Sequence, residues 1–166
     1  MTLQRLTPEA RRPSTSDKKL ILYLEDDDAS WEIAELALRD RFELRRAKNA
    51  RQIFEMVVRE RFAAVLMDIE LAGSDLDGIT ITRQLKGLME LSEPSYARNV
   101  HQPDLPVIFI SAYTARYTPS SLLEAGGDDV IPKPVNVRAL TAALTKLTLK
   151  AASSLLQGRP SSGDKR

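Results

Sequence analysis

The sequence predicts an α/β fold built on a mostly parallel sheet, with five strands and five helices. Short apolar runs typical of strands alternate with segments in which apolar residues recur at helical spacing. Polar side chains follow four of these runs, and the carboxyl ends of parallel strands are where such sheets commonly bind ligands. Five strand–helix pairs fit between the polar segments at the two ends of the chain.

The five predicted strands are short runs rich in aliphatic and aromatic residues. Four of them are almost wholly apolar and alternate with helical segments, which is the pattern of βαβ units and a mostly parallel sheet. The second carries several charges, which suit an exposed edge that must avoid pairing with other chains. The predicted strands are residues 20–24, 42–46, 63–67, 107–110 and 130–132.

Each predicted helix follows one strand. The first ends near Arg39, the third begins near Gly78, and the fourth is a short segment, 119–125, closed by Gly126-Gly127 as a left-handed stop. Asn136 is a suitable N-cap for the last helix. The apolar residues that indicate the first two helices are Trp31, Ile33, Ala34, Leu36, Ala37, Leu38, Ile53, Phe54, Met56, Val57 and Val58. The third helix is expected to bury Ile79, Ile81, Leu85 and Leu88, and the last places Val137, Leu140, Leu144 and Leu147 on one face.

Length and composition predict one domain. The 166 residues leave no room for a second full domain, and we expect residues 18–157 to be ordered between a flexible lead, 1–17, and a disordered tail, 158–166. The absence of cysteine excludes disulfides and thiolate chemistry. A net charge of +1 demands neither nucleic acid nor membrane, and we expect a cytoplasmic protein.

Polar side chains at the ends of four strands predict a site. Glu25 and Asp26 follow the first strand, and Asp68, Ser111 and Lys133 follow the third, fourth and fifth. The carboxyl ends of parallel strands share one crevice, so a hydroxyl and an ammonium would join the carboxylates there. Such a set of groups suits a divalent metal and a phosphoryl group.

The predicted carboxylate cluster needs a cation. Two unit charges about 4 Å apart repel by about 4 kcal/mol at an effective dielectric near 20. Carboxylate oxygens without histidine or cysteine partners favour Mg²⁺. Acidic residues are also common at helix N-termini, and that alternative explains Asp27 and Asp28 well.

Four motifs in this order resemble the CheY-like receiver domains of bacterial two-component response regulators. The motifs are Leu-Tyr-Leu-Glu-Asp-Asp at 22–27, Leu-Met-Asp-Ile-Glu at 66–70 followed by Asp77-Gly78, Phe-Ile-Ser-Ala at 109–112, and Lys133-Pro134. The resemblance covers roughly residues 18–150. It implies a flavodoxin-like, doubly wound sheet with strand order 2-1-3-4-5.

The resemblance also implies a reaction. A sensor histidine kinase or phosphotransfer protein would pass a phosphoryl group from phosphohistidine to Asp68. Mg²⁺ would be held by Asp26, Asp68 and the backbone carbonyl of Glu70, with Glu25 acting through water. The protein would signal by phosphorylation-dependent contacts with an unknown downstream protein, and its own phosphotransfer and autodephosphorylation would be its only chemistry.

Three further residues take roles from the same resemblance. Lys133 would pair with the phosphoryl group, and Ser111 would hydrogen-bond it after transfer and draw its loop inward. The peptide bond before Pro134 would be cis.

The chain departs from the family pattern in several places. Val130 occupies the position of an aromatic switch residue, and Tyr113 could replace that aromatic, cover the site, or be an ordinary surface tyrosine. Residues 72–75 contain an insertion, and the connection 87–106 is longer than usual. Either insertion could be tolerated surface, and the longer one could instead recognise a partner.

Other interpretations stay open. The main expectation is a stand-alone receiver, and the first alternative is a receiver-like adaptor that does not use phosphorylation. A haloacid-dehalogenase-type phosphatase is a third, although it would need an aspartate where Glu70 stands. The apolar stripe of the last helix extends through Ala151 and Leu155, which predicts a homodimer interface or a frayed end. Basic residues between Arg39 and Arg51 favour a solvated edge over nucleic-acid binding.

Overall fold

The computed structural model describes residues 17–112 and 116–157. Its strands are β1 (Lys19–Leu24), β2 (Phe42–Ala47), β3 (Ala64–Asp68), β4 (Val107–Ser111) and β5 (Asp129–Pro132). Its helices are α1 (Asp28–Leu38), α2 (Ala50–Arg59), α3 (Gly78–Leu85), α4 (Pro119–Glu124) and α5 (Val137–Gln157), with a 3₁₀ turn at Ser95–Ala97. Every predicted strand and helix is present.

The five strands form one parallel sheet in the order β2-β1-β3-β4-β5. Its central strands β3 and β4 are buried along their whole length, because helices cover both faces of the sheet. Helices α2, α3 and α4 contribute to the core on one face of the sheet, and α1 and α5 to the core on the other. The predicted flavodoxin-like, doubly wound fold is confirmed.

A capping side chain begins each helix of the described chain. The caps are Asp27, Asn49, Asp77, Thr118 and Asn136, each of which accepts a hydrogen bond from a backbone N–H of the first turn. Asp27 is exposed, and its carboxylate accepts the capping hydrogen bond from the Ser30 N–H. The helix-terminus interpretation of Asp27 therefore agrees with the structure.

Several apolar residues that indicate the helices are exposed. A helix that packs on a sheet buries only one stripe, and apolar residues beside that stripe remain in solvent. Leu88 follows Gly87, whose φ of 71° lies in the left-handed region, so it falls beyond the end of α3. The exposed residues among them are Ile33, Leu36, Ala37, Val58, Leu88 and Val137, and the prediction that Leu88 lies on a buried stripe was wrong.

The predicted terminal segments fall almost wholly outside the described residues. Residues 1–16 and 158–166 are not described, and neither is Tyr113. Helix α5 continues to Gln157, where Leu155 and Leu156 are 78% and 82% exposed. None of the helices in the described part of the chain is both long and apolar enough to cross a membrane.

Candidate functional site

A cavity of about 170 Å³ opens where the carboxyl ends of the strands meet. Glu25 follows β1, Asp68 ends β3, Ser111 ends β4, and Lys133 follows β5. The cavity is lined by Glu25, Asp26, Asp27, Asp68, Ile69, Glu70, Ser111, Ala112, Tyr117 and Lys133. The fold thus brings together the six residues predicted to hold the phosphoryl group and the metal.

Three carboxylates meet in this cavity. One oxygen each of Glu25, Asp26 and Asp68 lies within 4.8 Å of the other two. Glu25 is 1% exposed and Asp68 5% exposed, so water screens their mutual repulsion poorly. The oxygen-only donor set and the excess negative charge suit a hard divalent cation.

Lys133 is the ammonium group that faces this cluster. Its Nζ donates a hydrogen bond of 2.8 Å to Asp68 Oδ2 and lies 3.7 Å from Glu25 Oε2. Partial burial lowers the pKa of Lys133, but the hydrogen bonds and charges of Asp68 and Glu25 together outweigh burial and raise it overall. Lys133 is therefore charged at neutral pH.

Glu25 is held below the surface by two donors. Burial raises the pKa of its carboxyl group, and the hydrogen bonds from the Asp27 N–H (3.1 Å) and the Tyr23 hydroxyl (2.9 Å) oppose that rise. Burial and the charge of Glu25 also raise the pKa of the Tyr23 hydroxyl, which remains a donor. The sequence prediction missed Tyr23, although residues two apart on a strand share a face.

Arg46 at the end of β2 holds the acidic segment from outside the cavity. Its Nε donates to the Glu25 carbonyl at 2.8 Å, and its Nη2 donates to the Asp26 carbonyl at 3.0 Å. Its Nη1 also pairs with Asp28 at 2.6 Å. The side chain is only 14% exposed, so the prediction of a solvated edge was wrong for this residue.

The segment 72–75, which is predicted to contain an insertion, also reaches the site. The N–H of Ala72 donates to Asp26 Oδ2 at 2.9 Å. Sequence analysis gave no signal for this contact, because a backbone donor can belong to any residue type.

Asp68 sits on a tightly packed strand end. The N–H of Glu70 donates to Asp68 Oδ1 at 3.2 Å. A Cβ at Gly78 would lie 2.1 Å from the Asp68 carbonyl oxygen, so only glycine fits there. Nearby, the buried Ser111 hydroxyl donates to the Ala112 carbonyl at 3.0 Å.

Two of the residues predicted to modulate the site, Val130 and Pro134, lie outside the cavity. Val130 is half-buried and packs against the core, outside the cavity. Pro134 follows a cis peptide bond and lines a neighbouring apolar cavity of about 270 Å³. Tyr117, which the sequence prediction missed, also lines the acidic cavity.

The doubly wound sheet and its edge of carboxylates, hydroxyl and lysine are the arrangement that the resemblance predicts for a receiver domain. The family described as "Response regulator receiver domain" matches residues 21–145. The chain belongs to this family, as the resemblance predicts.

Similar proteins include longer regulators. The chain is 29% identical over 133 residues to the transcriptional regulatory protein ZraR of Escherichia coli K12, an alignment that covers 80% of this chain and 27% of ZraR. The chain spans about a quarter of the length of the curated relatives it matches.

Solved structures share the fold. The receiver domain of NtrX from Brucella abortus has a TM-score of 0.65 and 26% identity, with 77% of this chain and 97% of that chain covered. A CheY-like receiver domain protein from Methanospirillum hungatei has a TM-score of 0.68 and 24% identity, with coverages of 83% and 99%. At that identity the second likeness shows the fold.

Family membership makes the protein a phosphoacceptor domain of two-component signalling. Receiver domains bind Mg²⁺ at an acidic pocket and interact with histidine kinases or phosphotransfer proteins. The cluster of Glu25, Asp26 and Asp68 has the character of such a pocket.

Proposed function

We propose that Asp68 accepts a phosphoryl group from a phosphohistidine on a sensor histidine kinase or phosphotransfer protein. The observation that carries this proposal is the 2.8 Å bond between Lys133 Nζ and Asp68 Oδ2 in a cavity that also holds the other two carboxylates. The protein then signals through phosphorylation-dependent contacts with a downstream protein. We propose that both events take place in the cytoplasm.

The transfer needs a nucleophile and a place for negative charge. A carboxylate oxygen of Asp68 attacks phosphorus, and the new O–P bond forms as the P–N bond to the partner's imidazole breaks. A carboxylate needs no general base for this attack. Lys133, whose raised pKa keeps it protonated, stabilises the negative charge of the phosphoryl oxygens.

The residues present fit Mg²⁺. Asp26, Asp68 and the backbone carbonyl of Glu70 would hold the ion, and Glu25 would act through water from its buried position. The bound ion would supply positive charge to the phosphoryl oxygens. Glu25 is itself oriented by the Tyr23 hydroxyl and the Asp27 N–H, as carboxylates near metal sites commonly are.

Ser111 is the group in position to respond to the modification. It lies at the end of β4 and now donates to the Ala112 carbonyl, so bonding a phosphoryl oxygen would exchange one acceptor for another. That exchange would draw the segment after β4 toward the site and alter the surface a partner reads. Pro134, after Lys133, would fix the path of the chain leaving the site.

Incubation with acetyl phosphate followed by intact-mass analysis tests the proposal. We expect one phosphoryl adduct that depends on Mg²⁺ and is lost in Asp68→Asn. Asp104→Asn, at an exposed residue outside the cavity, is the matched control and should still form the adduct. A chain that neither acetyl phosphate nor a cognate kinase labels would contradict the proposal.

Val130 supports one alternative. It packs against the core where receivers place an aromatic switch, which favours an adaptor that binds its partner without phosphorylation. If the protein is such an adaptor, its Asp68→Asn variant should bind the partner as well as the parent protein does. A partner that is captured only after phosphorylation would rule out the adaptor. The phosphatase alternative lacks support, because Glu70 stands where that enzyme class needs aspartate and the matched family is a signalling one.

A further inference from the structure

The two insertions of this chain contact each other beside the site. Tyr96, in the 3₁₀ turn of the long connection between α3 and β4, donates its hydroxyl hydrogen bond to Asp75 Oδ1 at 2.5 Å. Asp75 belongs to the loop between β3 and α3. That loop also carries the Ala72 N–H that bonds the Asp26 carboxylate.

Tyr96 is anchored on its own side. The centroid of its ring lies 5.9 Å from that of the fully buried Phe54 ring. The guanidinium carbon of Arg51 lies 4.7 Å from the centroid of the Tyr96 ring. Ala97, next in the turn, is 0% exposed. Burial, and then the hydrogen bond to Asp75, raise the pKa of Tyr96, so its hydroxyl is a donor throughout the physiological range.

The loop between β3 and α3 is held from a second direction. Ser74 Oγ accepts a hydrogen bond of 3.1 Å from the Ala50 N–H at the start of α2 and donates to the Leu76 carbonyl at 2.8 Å. The Ala72 N–H is therefore fixed by a loop attached both to α2 and to the 3₁₀ turn. Its bond to Asp26 Oδ2 leaves the other carboxylate oxygen available for a ligand.

We propose that Tyr96 is a positioning residue for the metal site: through Asp75 it holds the loop whose Ala72 N–H orients Asp26, and so raises the affinity of the pocket for Mg²⁺. The inference rests on the proposed function, in which Asp26 is a metal ligand. A carboxylate held in its binding orientation loses less conformational freedom when the ion binds. Because linkage is reciprocal, Mg²⁺ in turn steadies the insertion that carries Tyr96.

Titration calorimetry with MgCl₂ measures the predicted coupling. Tyr96→Phe removes the hydroxyl and keeps the ring packing, and Asp75→Ala removes the acceptor. Each should weaken Mg²⁺ binding by roughly threefold to tenfold. This is no more than the usual effect of losing a residue that directly orients a metal ligand, because Tyr96 acts on Asp26 only through Asp75 and the loop. The double variant should be no weaker than either single variant, because both remove the same bond.

Two controls separate positioning from charge and from general stability. Asp75→Asn removes the charge and keeps the side-chain oxygen that accepts from Tyr96, so its affinity should stay within about twofold of the parent. Arg98→Gln, at an exposed residue of the same insertion that bonds Ser92 and Glu93, should also leave affinity unchanged. In Tyr96→Phe, the rate of adduct formation with acetyl phosphate should recover at saturating Mg²⁺.

Hydrogen exchange gives a readout without variants. Adding Mg²⁺ to the parent protein should slow amide exchange in the segments around Ala72 and Ala97. Parental Mg²⁺ affinity in both Tyr96→Phe and Asp75→Ala, or additive losses in the double variant, would overturn the inference and leave the proposed function standing. If Tyr96→Phe does not fold, Asp75→Ala on the exposed loop decides the matter. A parent protein that binds no Mg²⁺ would instead overturn both proposals.

Discussion

Lys133 Nζ lies 2.8 Å from Asp68 Oδ2, although 65 residues separate the two in the chain. The pair forms because β4 lies between β3 and β5 and all three strands end at the same edge of the sheet. This one ammonium group faces the carboxylates of Glu25, Asp26 and Asp68. The cavity therefore retains an excess of negative charge. Lys133 stabilises the carboxylates when no metal is bound, but its own positive charge opposes the binding of Mg²⁺.

Replacing Lys133 should separate those effects. Without metal, Lys133→Met should lower the free energy of unfolding, because it leaves buried carboxylates unpaired. The loss should be only about 1–2 kcal/mol, because the lysine is partly exposed and water screens its charge. Removing the positive charge should also tighten Mg²⁺ binding. Urea unfolding and Mg²⁺ titration calorimetry measure the two effects. Weaker Mg²⁺ binding in this variant would argue against direct competition between lysine and the ion.

Glu25→Gln should stabilise the metal-free protein at pH 7. Burial raises the pKa of Glu25, so the folded state binds this proton more tightly than the unfolded state, and stability falls as pH rises above the ordinary pKa of about 4.3. Removing the charge should raise the Tm by about 2–4 °C, equivalent to about 1 kcal/mol for a chain of this size.

The same substitution should have a smaller effect at low pH. At pH values between the raised pKa and the ordinary one, Glu25 is protonated in the folded parent protein and ionised in the unfolded chain. The difference in Tm between parent and variant should therefore shrink as pH falls toward about 4.5. The stabilisation by Mg²⁺ should fall in the variant, because a carboxylate beside the ion is lost. Thermal scans at several pH values, with and without Mg²⁺, measure both trends; an equal Tm difference at every pH would refute the assignment to Glu25 charge.

Arg46→Lys should loosen the acidic segment. A lysine cannot reproduce the fork that bonds the carbonyls of Glu25 and Asp26 together with the Asp28 carboxylate. We expect a fall in Tm of about 2–4 °C, and Mg²⁺ affinity about tenfold weaker.

Arg45→Lys is the matched control for that substitution. Arg45 is the neighbouring arginine, 44% exposed and paired with Glu43 and Glu60 at the surface. Exposed ion pairs contribute about 0–1 kcal/mol, so its Tm and Mg²⁺ affinity should remain close to the parent values. Similar losses in both variants would mean that the effect is not specific to the acidic segment.

Gly78→Ala should distort the end of β3. The added Cβ would meet the carbonyl oxygen of Asp68 at 2.1 Å, and backbone cannot move aside as a flexible side chain does. We expect a loss of more than about 2 kcal/mol in unfolding free energy together with slower adduct formation. Gly73→Ala, where a Cβ meets nothing within 4 Å but φ is +72°, should cost about 1 kcal/mol. Equal losses in urea unfolding would contradict this account.

The sequence by itself determined the order of the elements and the residues at the strand ends. Apolar runs and helical spacing identified every strand and helix, because burial imposes its period directly on sequence. The same patterns located Glu25, Asp26, Asp68, Ser111 and Lys133, because a parallel sheet carries the ends of its strands to one edge.

Only the tertiary structure decided which neighbours hold those residues. Arg46 resembled any other charge on an edge strand until the register of β1 and β2 brought its guanidinium to two carbonyls of the acidic segment. The exposure of Ile33 and Leu36 likewise depended on the stripe that α1 presents to the sheet. The contacts of Ala72 and Tyr96 join segments far apart in the chain through a backbone N–H and a single hydroxyl, and no periodic pattern marks such pairs. Local spacing records burial, whereas contacts between distant loops arise only when the whole sheet is assembled.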